Sequence, residues 1–191
     1  MQPINQTVET SRGFITIREA EPSDVTQFRL LRLHALENAP TAFSADYQVN
    51  LNQPTSYWEG RLNFDEYGII FFACNETDLV GMAGIRQGES PKTRHAAFIW
   101  GVYVRPEWRG LHIAEALIET CIQWAKARQV EIVKLGVVTT NTSAVRCYER
   151  CGFTTYGTEP RGIFYEGNYY DEFLMARTIE SNLGEKHDHR V

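Results

Sequence analysis

The chain has 191 residues, of which 43% are hydrophobic and 23% are charged, a composition typical of one globular domain with a sizeable core. Its formal net charge of −5 argues against a nucleic-acid partner, because nucleic acids select basic surfaces. No apolar run approaches the roughly 18 residues of a membrane-spanning helix, and the polar first residues do not resemble a secretion signal. We therefore expect a cytoplasmic protein that binds neither nucleic acid nor membranes.

The first half of the chain predicts two helices and three strands. Residues 1–12 are polar and indicate a flexible leader. Ser23 and Asp24 are both suitable N-caps for a helix whose apolar residues recur with helical spacing. The polar run 75–78 indicates a hairpin turn. In chain order, the predicted elements are a strand at 14–18, a helix from 23 or 24 to 38–40, a helix at 55–62, and strands at 68–74 and 79–86.

The second half predicts four strands and two helices, followed by a polar tail at 179–191. Because meandering strands precede a strand–helix–strand unit, the order favours a mixed sheet with helices on both faces. The fold class is thus α/β (α+β), with about seven strands, about four helices and a single domain at 13–178. The predicted elements are strands at 95–104, 132–138, 153–158 and 168–176, and helices at 112–128 and 142–150.

The cysteines do not predict a metal centre. No two of them form a CxxC pair with a second pair downstream, which is the spacing of a structural zinc site. His187 and His189 give only weak support for a metal site, because scattered histidines are common in polar tails. Without a secretion signal, we expect reduced thiols rather than disulfides. The four cysteines are Cys74, Cys121, Cys147 and Cys151.

The most informative stretch is 102–118, where a short apolar strand meets Arg105-Pro106 and then an arginine and a glycine at a helix start. The first N–H groups of a helix have no partner within it, and the helix dipole is positive at that end. Such a junction binds phosphate groups. The sequence therefore predicts a phosphate-bearing ligand at the start of the helix at 112–128.

Two motifs together make the chain resemble the GNAT superfamily of N-acetyltransferases over residues 14–176. The first resembles that family's pyrophosphate loop, R/Q-x-x-G-x-G/A, and the second its late N-x-x-A-x-x-x-Y-x-x-x-G-F pattern. Glycine-rich helix starts are common, so the first motif alone is weak, but the pair is specific. The motifs read Arg109-Gly110-Leu111-His112-Ile113-Ala114 and Asn141-Thr142-Ser143-Ala144-Val145-Arg146-Cys147-Tyr148-Glu149-Arg150-Cys151-Gly152-Phe153.

The resemblance implies an enzyme that moves an acetyl group from acetyl-CoA to an amine, with no metal. It implies that the pantetheine pairs with the strand before the loop, that the loop holds the pyrophosphate, and that a backbone N–H near Val102 stabilises the oxyanion. Tyr148 would protonate the leaving CoA thiolate, although a packed helical tyrosine is the alternative. Homodimers are common in the family. The implied cofactor-binding residues are Val102, Tyr103, Val104, Arg109, Gly110, Leu111, His112, Ile113, Ala114 and Asn141.

His112 departs from the pattern, because the family usually has glycine there. A side chain is tolerable if the residue already has helical φ and ψ, since the donor is the backbone N–H. We expect its imidazole to point outward. The sharper hypothesis is that it adds a hydrogen bond to the pyrophosphate and makes CoA affinity pH-sensitive. Asn141, by contrast, suits two roles, as a helix cap and as a partner of the pantetheine amide.

The general base is left open by the sequence. An ammonium must lose a proton before it attacks. Some family members place a glutamate on the strand before the loop, but Ala96 and Phe98 stand at those positions. The remaining candidates are Glu37, Asp171, Glu172 and water.

For the acceptor, a small amine, an amino acid or a drug is favoured over a protein N-terminus or lysine. A non-catalytic acyl-CoA-binding or sensory module is the alternative from another class. Acidic side chains are expected to attract a cationic amine into an aromatic pocket. The acidic candidates are Glu37, Asp46, Glu166, Asp171 and Glu172, and the aromatic ones are Phe43, Tyr47, Trp58, Trp100, Phe164, Tyr165, Tyr169 and Tyr170.

Overall fold

The structure, a computed structural model, describes residues 4–76 and 78–179, and these form one eight-stranded sheet with helices on both faces. The strands are β1 (Asn5–Thr10), β2 (Gly13–Glu19), β3 (Gly68–Asn75), β4 (Asp78–Gln87), β5 (Ala96–Val104), β6 (Ile132–Val138), β7 (Thr154–Tyr165) and β8 (Asn168–Thr178). The helices are α1 (Val25–Asn38), α2 (Tyr47–Leu51), α3 (Thr55–Leu62), α4 (Ile113–Ala127) and α5 (Thr142–Arg150).

The sheet is mixed, as the sequence predicts. Its strands lie in the order β1-β2-β3-β4-β5-β6-β8-β7. Only the pair β5–β6 is parallel, because α4 carries the chain from one end of the sheet back to the other. None of the helices within the described part of the chain is both long and apolar enough to cross a membrane.

Two cores lie on opposite faces of the sheet. On one face, α4 packs its apolar side against the inward residues of β2 to β6, and Leu117, Cys121 and Trp124 are almost fully buried there. On the other face, α1 and α3 form a smaller core around Phe28 and Trp58, whose rings meet edge to face at 5.7 Å. The two functional ends of the molecule are built from these two faces.

The leader prediction is wrong for residues 5–10. They form β1, which pairs antiparallel with β2, so the sheet has one strand more than predicted. The sequence does not predict this strand, because the residues of this segment that pack against the core are Ile4 and Val8 alone. Two apolar residues are too few to show the alternation of apolar and polar side chains that is typical of a strand. At the other end, the predicted tail starts one residue too early, because Ile179 is buried and its N–H donates to the carbonyl of Glu131 at 2.8 Å. Residues 180–191, with His187 and His189, lie outside the described residues.

The sequence also misses α2, a five-residue helix. Its N-cap is Asp46, whose carboxylate accepts a hydrogen bond from the Val49 N–H at 2.8 Å. A helix this short has no apolar periodicity to read. It lies in the link between α1 and α3, which folds over the second face of the sheet.

A gap between β5 and β6 positions the functional site. The two strands pair only from Ala96–Ile132 to Phe98–Lys134, and beyond that they separate. The β4–β5 register shifts at Gly101, whose φ of +67° is readily adopted only by glycine. The last residues of β5 therefore keep their β4 partners while the edge that faces β6 opens into a cleft.

Candidate active site

The cleft encloses about 650 Å³ between the end of β5, the start of α4 and one side of α5. It brings together the two motifs that the sequence singles out. Among the predicted cofactor residues, Leu111 is the exception, because it does not line the cleft and packs against the core beneath α4. The predicted residues that line it are Val102, Tyr103, Val104, Arg109, Gly110, His112, Ile113, Ala114, Asn141 and Tyr148.

The turn into α4 is built from two left-handed residues. Gly110 has φ +76°, and His112, the N-cap, has φ +58° and ψ +17°. His112 therefore does not meet the condition of helical φ and ψ under which a side chain is readily tolerated, and the glycine that the family usually has here is explained by this backbone. The first intrahelical bond runs from the Ala116 N–H to the His112 carbonyl at 3.1 Å. The N–H groups of Ile113 and Ala114 thus stand in the first turn with no helical acceptor, ready to bind an anion.

The His112 side chain lies beside Glu115 of the first turn of α4. It is 78% exposed, and its Nδ1 lies 3.2 Å from Glu115 Oε1. The same carboxylate oxygen accepts a hydrogen bond from Arg150 at 2.6 Å. Burial raises the pKa of Glu115, but the hydrogen bonds from Arg150 and His112 outweigh this effect and lower the pKa below its ordinary value. This carboxylate is therefore ionised. Its charge beside an anion-binding turn is offset by Arg150.

Arg109 faces the carbonyl side of the turn. Its Nε donates to the Val104 carbonyl at 3.1 Å, and its Nη2 donates to Asn38 Oδ1 at 3.3 Å. Its guanidinium also lies over the Tyr103 ring, 5.6 Å from the centroid. Arg109 therefore joins β5 to the end of α1 and fixes the two walls of the cleft relative to each other.

Asn141 caps α5, which confirms one of its two predicted roles. Its Oδ1 accepts from the Ala144 N–H at 3.2 Å and from Ser143 Oγ at 3.0 Å. Because both bonds use the oxygen, the amide nitrogen is left to donate toward the cleft that Asn141 lines.

Tyr148 lies two turns further along α5. The residue is 8% exposed, and its ring meets Phe153 edge to face at 6.2 Å. Burial raises the pKa of Tyr148 well above its ordinary value, and the neighbouring Cys147 and Cys151 add to the effect. The phenol is therefore neutral at physiological pH, which is the state that can donate a proton.

Cys147 also lines the cleft, and the structure describes it as a free thiol. Its hydrogen bond with Cys151 and its burial raise the pKa of the Cys147 thiol. Because the thiolate is the nucleophile, a thiol held neutral is a poor acceptor for an acyl group.

The three carboxylates proposed as bases occupy different environments. Glu37 is exposed at the end of α1. Asp171 accepts a hydrogen bond from the Arg161 N–H at 2.8 Å and so holds a left-handed residue of β7 in place. Glu172 is half-buried on β8, and burial, followed by the charge of Glu159, raises its pKa. The pKa of Glu172 is thus shifted in the direction that suits a general base.

The second face carries a further cleft of about 360 Å³ between the α1–α2 link and β7. Glu37, Asp46, Phe43, Tyr47 and Tyr165 line it, in agreement with an acidic and aromatic lining. Phe164 lines the cleft as well and forms an exposed pair with Tyr169 on the β7–β8 hairpin. Trp58, by contrast, is fully buried in the core of this face.

Sequence reasoning misses two arginines on the same face. Arg32 of α1 is 7% exposed, and its guanidinium lies over the Phe43 ring at 4.6 Å. Arg61 of α3 lies over the rings of Trp100 at 5.2 Å and Tyr57 at 5.8 Å. The sequence positions of Arg32 and Arg61 do not predict that the two side chains lie on one face, because α1 and α3 come together only through packing in the folded protein. Within residues 4–76 and 78–179, no three His, Cys, Asp or Glu side chains are grouped so that they could hold a metal ion.

Comparison with known proteins identifies the family. The model of the acetyltransferase (GNAT) family matches residues 32–153, which include both cleft motifs. The chain belongs to the GNAT family. The resemblance read from the two motifs is thus confirmed, and so are the GNAT-like α/β fold and the activity class, an acetyl-CoA-dependent N-acetyltransferase.

Relatives of this GNAT protein include the L-amino acid N-acetyltransferase AaaT of Escherichia coli K12. It is 31% identical over 169 residues, which cover 85% of this chain and 97% of the relative. A GNAT-family acetyltransferase from Streptococcus pneumoniae superposes with a TM-score of 0.77 at 26% identity, over 87% of this chain and 99% of that one. The fold is also shared with yncA from Salmonella typhimurium, whose structure was solved with acetyl-CoA, with a TM-score of 0.72, 21% identity, and coverage of 90% and 98% of the two chains.

Proposed function

We propose that this protein transfers the acetyl group of acetyl-CoA to the primary amine of a small acceptor, foremost a free amino acid, by direct attack in a ternary complex. The relative named as an L-amino acid N-acetyltransferase supports the choice of acceptor, because the match extends over nearly its whole length. The neutral Cys147 thiol supports direct attack over an acyl-enzyme. Location in the cytoplasm and assembly as a homodimer stay predictions.

The chain's own groups fit acetyl-CoA at the first cleft. The N–H groups of Ile113 and Ala114 suit the pyrophosphate, and the β6-facing edge of Val102–Val104 suits the amides of the pantetheine arm, because that edge has no strand partner. The Asn141 amide nitrogen supplies another donor. When bound, acetyl-CoA supplies the activated acetyl thioester.

The observation that carries the mechanism is Tyr148, a neutral, buried phenol on the wall of this cleft opposite β5. In our proposal Tyr148 donates its proton to the departing sulfur. The backbone N–H at Val102, next to the bulge at Gly101, donates to the oxygen that gains negative charge during attack. Holding both substrates in one cleft contributes much of the rate through orientation alone.

Deprotonation of the acceptor is assigned to Glu172 or to water. Glu172 lies between the backbones of β6 and β7, where its side chain would be 3.5 Å from a β-carbon built on Gly136. Its raised pKa brings it closer to the pH at which a base is useful. Asp171 is less suitable, since it already accepts the Arg161 N–H.

An acceptor screen tests the proposal. Purified protein and acetyl-CoA are incubated with single L-amino acids, amine-bearing antibiotics, polyamines and peptides with free N-termini, while CoA thiol release is followed and products are weighed by mass spectrometry. We expect N-acetylated products from one or more amino acids. Turnover on peptides alone would contradict the small-acceptor proposal. Tight binding of acetyl-CoA with no turnover on any amine would favour the non-catalytic module.

A further inference from the structure

A buried cation lies at the acceptor side of the site. Arg32 belongs to α1, is 7% exposed, and has a buried Nη1 with no hydrogen-bond partner among the described residues. This Nη1 would be 3.7 Å from a β-carbon built on Gly101. The guanidinium edge is therefore directed at the β5 bulge, one residue before Val102. Phe43 of the α1–α2 link covers the flat face of the group.

Within residues 4–76 and 78–179, Arg32 has no carboxylate to balance it. Arg18, Arg86, Arg150 and Arg177 each pair with an Asp or Glu at 2.5–2.8 Å, whereas no ion pair to Arg32 occurs within the described residues. Its charged neighbour is another cation, Arg61, and burial together with Arg61 lowers the pKa of Arg32 to about 10. Arg32 is still charged at neutral pH.

Burial of such a group lowers the unfolding free energy of the protein. Burying an ionised side chain without a partner costs free energy, and an apolar side chain of similar size is often as stable or more so. Arg61 adds like-charge repulsion, and both guanidinia lie over aromatic rings. Nη1 of Arg61 donates to the Tyr57 hydroxyl at 3.3 Å, whereas Nη1 of Arg32 has no partner among the described residues. Two cations assembled in this way are complementary to an anion.

The position of Arg32 restricts which anion fits. The bulge at Gly101 is where β5 turns its edge toward the cofactor cleft, and Tyr148 lines the same cleft. In an α-amino acid, only the α-carbon separates the carboxylate from the amine. A carboxylate held at the bulge would therefore place its amine close to Val102, where acetyl transfer is expected. A planar guanidinium binds a carboxylate through paired N–H bonds, which also fixes its orientation.

We propose that Arg32 is the carboxylate-binding residue of the acceptor site, assisted by the field of Arg61, and that it restricts the acceptors to amines bearing an adjacent carboxylate. The inference rests on the proposed function. It adds a cation to the acidic side chains that are expected to attract the amine: Glu37 and Asp46 line the cleft on this face, and Arg32 is buried between Phe43 and Gly101.

The test compares L-amino acids with their primary amides, which keep the amine and side chain but carry no carboxylate. With the wild-type enzyme, kcat/KM is expected to be about 10- to 100-fold higher for the acid, the range that charge-assisted hydrogen bonds provide. Arg32→Met should reduce kcat/KM for the acid by the same factor, about 10- to 100-fold, and leave the amide unchanged. Arg32→Lys should keep part of the acid preference, since lysine keeps the positive charge but lacks the paired N–H donors of the guanidinium.

Two controls separate recognition from folding. Arg86→Met removes the same charge from an exposed arginine that has Asp65 and Glu89 as partners, so the acid-to-amide ratio should not change. Thermal unfolding should show Arg32→Met to be at least as stable as the wild type, because the substitution removes an uncompensated buried charge. Equal use of acids and amides by the wild type, or an acid preference that survives Arg32→Met, would overturn the inference.

A binding measurement keeps this result distinct from the proposed function. Calorimetry on the CoA-bound enzyme compares an N-acetyl-L-amino acid with its amide. Carboxylate-selective binding that Arg32→Met abolishes, in the absence of any turnover, would support the Arg32 site and contradict the acetyltransferase proposal. Turnover on amines without carboxylate selectivity in rate or binding would support the activity and remove the role of Arg32.

Discussion

The two ends of the site are built from different parts of the chain. The cofactor end is made mostly of backbone: the unpaired edge of Val102–Val104, the left-handed turn at Gly110 and His112, and the first N–H groups of α4. The proposed acceptor end is made of side chains from α1, α3 and β5, among them Arg32 and Trp100. A backbone site is tied to local geometry, whereas a side-chain site can change specificity without changing the fold. Substitutions that damage one end and spare the other test this division.

The largest effect is expected at Tyr148, where the two ends meet. Tyr148→Phe keeps the ring against Phe153 and removes the proton donor, so kcat should fall about 100-fold or more, the usual worth of a general acid. The Kd of acetyl-CoA, measured by calorimetry, should stay the same. Because the pKa of Tyr148 is raised, the phenol keeps its proton as pH increases, and the wild-type rate should not fall from loss of this proton below about pH 10.

Tyr156→Phe is the matched control, since Tyr156 is 58% exposed on β7. It should leave kcat unchanged. Equal losses in both variants, or a loss in Tyr148→Phe that appears only as weaker acetyl-CoA binding, would remove Tyr148 from the chemistry.

Gly84→Ala should damage the acceptor end alone. A β-carbon at Gly84 would lie 2.3–2.8 Å from atoms of the Trp100 ring, so the ring that supports Arg61 must move. Overpacking of this kind costs about 1–3 kcal/mol of unfolding free energy. Urea unfolding measures that loss, and the KM for the acceptor should rise while the Kd of acetyl-CoA stays constant.

Gly60→Ala is the control for Gly84→Ala, because it makes the same substitution where the added methyl group meets no neighbour. Gly60 lies within α3 and a β-carbon there would meet nothing within 4 Å, so the change should stabilise the protein by about 0.5–1 kcal/mol. A rise in the acetyl-CoA Kd of Gly84→Ala would show that the two ends are not independent.

The left-handed turn at the cofactor end predicts a pair of smaller, opposite effects. Gly110→Ala forces a side chain into φ +76° and should lower the unfolding free energy by about 1 kcal/mol. His112→Gly relieves the same strain, but glycine also adds conformational entropy to the unfolded chain. The net result should be an increase of about 0.5 kcal/mol in the unfolding free energy.

Because the His112 imidazole is exposed and faces Glu115, the Kd of CoA for His112→Gly should follow the wild-type profile between about pH 6 and 8. Calorimetry across this range checks it. A flattened profile in the variant would favour a hydrogen bond from the imidazole to the pyrophosphate.

The smallest effect is expected at Glu172. Its pKa in the folded protein lies above the ordinary value, so the folded state holds the proton to higher pH and stability decreases as pH rises through that window. Glu172→Gln should therefore increase the unfolding free energy at about pH 7, by less than 1 kcal/mol, and not at about pH 4. If Glu172 is also the base, kcat/KM at neutral pH falls in this variant; an unchanged rate assigns deprotonation to water.

The same division explains what the sequence could predict. Gly110 and Asn141 act through a turn and a cap whose geometry depends on neighbours a few residues away, so their placement could be predicted from the motifs. The bond from Arg109 to Asn38 joins residues far apart in the sequence and could not be predicted in this way. Arg32 becomes notable only because α1 packs across β5 beside Gly101, a contact between residues far apart in the sequence. β1 was missed for a related reason, since its pairing with β2 supplies the order that its own apolar residues do not indicate.

In the proposed mechanism, acetyl passes directly to the amine while both substrates occupy the cleft. An initial-velocity matrix, in which acetyl-CoA and the best L-amino acid from the acceptor screen are both varied, tests it most directly. A ternary complex predicts double-reciprocal lines that intersect. Parallel lines, together with an acetyl group found on Cys147 by mass spectrometry after incubation with acetyl-CoA alone, would show transfer through the enzyme and contradict the account.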